Sequence, residues 1–149
     1  MHIVYHCFGG THSSVIAAAL HTGLLYEKRP PDEKSSFTLP YFDTQDGRDR
    51  GKLYFYGIDE CGNRVYIIGR GRDTEALQLV FGEQIENGLR AVIVNTLPCF
   101  PFILKVGGFI SRRLKRPRLG RPLVFAGIRR GYPFVKDLVY QVKTEVREE

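Results

Sequence analysis

A chain of 149 residues, 43% hydrophobic and 26% charged, has the size and balance of one globular domain with a single core. No apolar run approaches the roughly 18–20 residues of a membrane span. The N-terminus lacks the basic leader of a signal peptide, so a cytoplasmic protein is expected. Cys7, Cys61 and Cys99 form no CxxC pair, which argues against a disulfide framework and fits reduced thiols. The net charge of +6 is uneven: residues 87–136 hold eleven Lys and Arg and no carboxylate, a field that favours an anionic partner.

Ile3-Val4-Tyr5 is β-branched and aromatic and runs into a turn, as a buried first strand does. The turn Phe8-Gly9-Gly10-Thr11-His12-Ser13-Ser14 follows, with hydroxyls at Thr11, Ser13 and Ser14 to cap the next helix. That helix covers Val15–Leu20, and Gly23 closes it. Residues 26–50 are charged and proline-bearing and read as a loop or mobile surface excursion, with Tyr41 and Phe42 as its pins.

Leu53–Ile58 and Arg64–Ile68 flank a Gly/Asn turn and predict a hairpin. Asp73 or Thr74 then caps a helix over Glu75–Glu86, with Leu77, Val80, Phe81 and Ile85 at helical spacing. Arg90–Asn95 is a compact buried strand. Phe102–Leu114 is expected to be helical despite Gly107-Gly108, Leu123–Ile128 reads as a last strand, and Tyr132–Val146 as a closing helix. No internal repeat interrupts this order. It predicts a single α/β domain over 1–149: a three-layer sandwich with a mostly parallel sheet, an antiparallel hairpin and a P-loop-like first strand-loop-helix.

The opening block YHCFGGTHSS, the hairpin GIDECGNRVY and the block Gly107-Gly108-Phe109-Ile110-Ser111-Arg112 resemble the bacterial domain-of-unknown-function 3189 family along nearly the whole chain. The resemblance implies a single-domain cytoplasmic protein, found mainly in spore-forming lineages, with no assigned activity. It supplies no catalytic residue.

The first loop carries the clearest chemistry. A strand feeding a Gly-rich turn and a helix start presents free amides and the positive end of a helix dipole. Gly9 and Gly10 let a ligand oxygen approach, and Thr11, Ser13 and Ser14 add hydroxyls. It is not a Walker A loop, since no lysine stands at the required position. It is similar to the SGGxDS loop of the ATP pyrophosphatases, with Phe8 and His12 in place of the serine and aspartate.

The run HC-x5-S-S is similar to the cysteine phosphatase signature HC-x5-R-S/T at His6, Cys7 and Ser14, but Ser13 replaces the arginine. Arg112 or Arg121 are the candidates to replace that charge in space. A metal site is not expected: His6 and Cys7 point to opposite faces of a strand and no zinc spacing is present.

Three functions follow from these features. The first is binding of a phosphorylated small molecule or nucleotide by Gly9, Gly10, Thr11, His12, Ser13 and Ser14, aided by Arg112 and Arg121. The second is non-catalytic binding of nucleic acid or an acidic partner by the basic 87–136 surface. The third is hydrolysis with Cys7 as nucleophile and His12 as acid or base. Gly107-Gly108 with Ser111-Arg112 read as a second Gly-rich helix start facing the first loop across one cleft.

Overall fold

Strand β1 (His2–Cys7) lies at the centre of the molecule because its alternation has two apolar faces to bury. In the computed structural model, which describes residues 1–25, 28–45, 47–73 and 75–148, four strands form one sheet in the order β2-β3-β1-β4. The predicted hairpin is there: β2 (Leu53–Ile58) pairs antiparallel with β3 (Arg64–Gly69), with an irregularity between Phe55 and Gly57. β1 pairs parallel with β3 from His2 opposite Arg64 to Cys7 opposite Gly69. It also pairs parallel with β4 (Ala91–Asn95), from His2 opposite Ala91 to His6 opposite Asn95.

Helices cover both faces. Ile3 and Tyr5 join Val15–Leu20 of α1 (Ser13–His21) and the apolar face of the C-terminal helix in the main core. Val4 and Ile68 meet Leu77 and Phe81 of α3 (Glu75–Glu86) on the other face. The α/β sandwich with its mixed sheet therefore stands as expected. Thr74, the alternative cap to Asp73, and the side chain of Val80 lie outside the described residues.

Two elements differ from the expectation. Residues 33–37 form a short helix, α2 (Glu33–Phe37), started by Asp32, whose carboxylate accepts the Ser35 N–H at 2.8 Å. Beyond it the segment folds back, with Leu39 and Phe42 in the core.

The predicted last strand, Leu123–Ile128, is helix instead, part of α5 (Pro117–Glu148). Its six-residue apolar run does not distinguish strand from buried helix. The decision comes from packing. Gly120, Gly127 and Gly131 lie on one face of α5 and touch Ser111, Leu104 and Phe100, while Gly107 of α4 (Phe102–Gly108) touches the Val124 backbone. The helices approach so closely that a Cβ at any of these positions would overlap its neighbour. Pro122 and Pro133 lie inside α5, both at exposed positions. Among the described residues no helix is long and apolar enough to cross a membrane.

Sequence alone did not foresee the polar network under α1. His21 is 0% exposed. Its Nδ1 meets the Tyr5 hydroxyl at 2.7 Å and its Nε2 meets Asp59 at 3.0 Å. Burial pushes its pKa down, and the Asp59 contact only partly restores it. Burial likewise, with the Arg70 guanidinium beside it, lowers His6 to about 4. Asp59 is raised by burial, but hydrogen bonds from Asn63, His21 and the Cys61 amide outweigh this and hold it below the usual carboxylate range.

These shifts set a pH dependence. Below about pH 6.5 the unfolded chain protonates both histidines while the folded chain resists, so the unfolded state binds more protons. Stability therefore rises with pH in this window and drops on acidification, by up to about 1.4 kcal/mol per pH unit per histidine. The Asp59 contribution, fully present at neutral pH, is lost only as pH falls further, through its depressed pKa. Urea midpoints at pH 7 and pH 5 should show the loss, and His6→Gln should make it smaller. An equal loss in the variant would contradict the assignment to His6.

Candidate functional site

The topology singles out one candidate site. From β1 the chain crosses over α1 to β3 on one side, and later over α3 to β4 on the other. The carboxyl end of β1 is thus a switch point, where loops diverge and leave a crevice. Residues 8–12 occupy it, and a cleft of about 540 Å³ opens there.

Gly10 explains the shape of the loop. It has φ +70°, and a Cβ on it would lie 2.6 Å from the Gly69 nitrogen and 2.6 Å from Gln45 Oε1. The loop can therefore lie directly on the end of β3. Arg70 and Gly71 amides fix it there by donating to the carbonyls of Cys7 and Phe8.

The hydroxyls expected as helix caps are used elsewhere. His12 stands at the N-cap of α1 and makes no side-chain capping bond, which leaves first-turn amides without a cap. Thr11 Oγ1 donates to the Tyr41 carbonyl at 3.2 Å and accepts the Gln45 amide at 3.3 Å, so it ties residues 41–45 over the loop. Ser13 pairs with Thr96 at 3.0 Å. Ser14 lies 3.2 Å from Cys7 Sγ, which also accepts the Gly10 N–H at 3.0 Å.

Asp43 is the hub of the site. It is 5% exposed and accepts from His12 Nε2 at 3.0 Å, Ser111 Oγ at 3.2 Å and Arg121 Nε at 3.2 Å. Burial raises its pKa, but the His12 hydrogen bond and charge, then Arg121 and Arg112, outweigh this and leave it below the ordinary range. The His12 ring packs edge-on to Phe42. Its Nδ1 has no hydrogen-bond partner among the described residues and lies against Gly108 in the cleft wall.

The expected site residues divide clearly. Cys7, Gly9, Thr11, His12, Ser13 and Arg112 line the cleft. Gly10 and Ser14 support the loop from behind. Arg121 is outside the cleft wall, held by Asp43 and stacked 4.4 Å over Phe37.

The Gly107–Arg112 block does face the first loop, but as the end of α4 and a π turn (Phe109–Arg113) rather than a helix start. The helix starts at Phe102 as expected, with Pro101 as its N-cap. Arg112 donates to the Thr44 and Gln45 carbonyls at 2.9 and 3.1 Å.

Asp43 and Gln45 escaped the sequence reading, since both lie in the segment read as a loop. Gln45 is 5% exposed and lines the cleft, yet neither Oε1 nor Nε2 has a partner among the described residues. Such a group is costly unless a ligand or water satisfies it. Cations also line the wall: Arg50, Lys105, Arg112 and Arg113. His6 faces Arg70 rather than Cys7, so those neighbours do not converge.

No curated protein and no solved structure matches the chain. Over residues 2–144 the sequence matches the family described as protein of unknown function (DUF3189), and the chain belongs to that family.

Proposed function

We propose that the protein binds a phosphorylated small molecule in the cleft at the carboxyl end of β1. The observation that carries this reading is the uncapped start of α1 opening beside four cations of the cleft wall. Helix-start amides and cations favour the same ligand group, a compact polyanion. Phosphate would lie over Gly9–Ser14, with Gln45 donating its amide and Arg113 adding charge. His12 would recognise the ligand through Nδ1, its other nitrogen being engaged by Asp43.

Inorganic phosphate and a panel of nucleotides and sugar phosphates are the probes, with melting temperature as readout. A ligand at 100 times its Kd stabilises by about 2.7 kcal/mol, a rise of roughly 5–10 °C for a chain of this size. Arg113→Ala should weaken phosphate binding several-fold without altering the melting temperature of the free protein, because Arg113 is exposed. No response to any phosphate, together with salt-sensitive binding to generic DNA or RNA that survives His12→Ala, would favour the basic 87–136 surface instead.

A further inference from the structure

Cys7 does more in the structure than fill a core. Its sulfur accepts the Gly10 N–H at 3.0 Å, lies 3.2 Å from the Ser14 hydroxyl, and forms part of the cleft wall at the end of β1. An amide N–H donates to this sulfur, a hydroxyl touches it and the start of α1 follows it, surroundings in which cysteine nucleophiles work. Gln45 stands in the same wall, its side-chain amide buried against Gly10 and without a partner among the described residues, so a polar ligand there would satisfy it. His12 lines the same cleft, with Nε2 held by Asp43 and Nδ1 without a hydrogen-bond partner among the described residues.

We propose that the protein hydrolyses phosphate monoesters of aromatic alcohols, with Cys7 as the nucleophile and His12 as the proton carrier. This rests on the phosphate-binding reading above and adds the reaction and the substrate class. The Cys7 thiolate attacks phosphorus. An S–P bond forms, the ester P–O bond breaks, and the departing oxygen takes the proton of His12. Water then attacks the phosphocysteine, the S–P bond breaks, orthophosphate leaves, and the proton lost by water returns to His12. Cys7 ends as thiolate, so the cycle needs only water.

The mouth of the cleft selects the alcohol. Phe8, Phe102 and Phe109 line it with large exposed surfaces, Phe102 at 74% and Phe109 at 50%, and such rings stack on an aromatic group. The Arg50 guanidinium lies 5.0 Å from the centre of the Phe8 ring.

The test uses the full chain with para-nitrophenyl phosphate, and inorganic phosphate as the binding probe. The wild type should release nitrophenolate and, on acid quench, carry one phosphoryl group on Cys7. Cys7→Ser should lose about 10³-fold or more of the rate, and His12→Gln about 10²-fold. Should Cys7→Ser fail to fold, alkylation of wild-type Cys7 by iodoacetamide gives a second reading, and inorganic phosphate should slow it at least about tenfold. A wild type that is stabilised by inorganic phosphate but releases no nitrophenolate overturns the hydrolysis and leaves the binding reading standing. Neither stabilisation nor turnover overturns both. Turnover that persists in folded Cys7→Ser, or alkylation that phosphate does not slow, removes Cys7 from the role.

Discussion

Asp43→Ala is expected to cost about 3 kcal/mol of stability, the low end for breaking a buried charge pair. The carboxylate is buried and holds His12, Ser111 and Arg121 together. Without it Ser111, itself buried, loses its acceptor, and His12 loses the partner that orients its ring. The cost stays at the low end because Arg121 is about a third exposed and keeps part of its hydration. Circular dichroism during urea unfolding suits a chain without tryptophan. For a chain of this length the melting temperature should fall by roughly 6–12 °C. Arg121→Ala, which removes only the half-buried partner, should cost about 1 kcal/mol or less. Equal losses in the two variants would show that Asp43 is not the hub.

Gly10→Ala is expected to cost about as much and to abolish phosphate binding. Two effects add at this position. A side chain at positive φ costs about 1–2 kcal/mol, and the new Cβ would overlap the backbone of Gly69 and the amide of Gln45. The loop would have to lift from β3, moving Cys7 and the start of α1 with it. Gly23→Ala separates the terms, because Gly23 has φ +77° but nothing within 4 Å of its Cβ position. It should cost only the conformational part, about 1 kcal/mol, and leave phosphate binding intact. If the two variants lost equal stability, crowding against Gly69 would have no part in shaping the loop.

Both predictions depend on residues of unequal visibility in the sequence. Gly10 is legible, since a Gly pair between an apolar strand and an alanine-rich helix announces a tight turn. Asp43 is not. It sits among turn-forming residues with a positive φ of 53°, and nothing local distinguishes it from the other carboxylates of that segment. Its role exists only because Thr11 ties residues 41–45 across the loop and because Ser111 and Arg121 arrive from about 70 and 80 residues away. Helix α2 carried a fainter local signal, Asp32 three residues before Ser35, which the surrounding charge and proline obscured.

Elements whose cause is local can be read directly from the residues. β1, its Gly-rich turn, α1, the hairpin and β4 all follow from short-range alternation, turn chemistry and helical spacing, and so do the α/β class and the end of β1 as the place to look. The remaining features have their cause in contacts between distant segments. Residues 123–128 are helix because glycines at 120, 127 and 131 meet another helix at backbone distance. An apolar run has the same appearance in either state until its partner is known. The candidate site followed the same logic. The loop residues could be named in advance, whereas Asp43, Gln45 and the choice of Arg112 over Arg121 for the cleft wall arose from chain crossings that no local pattern encodes.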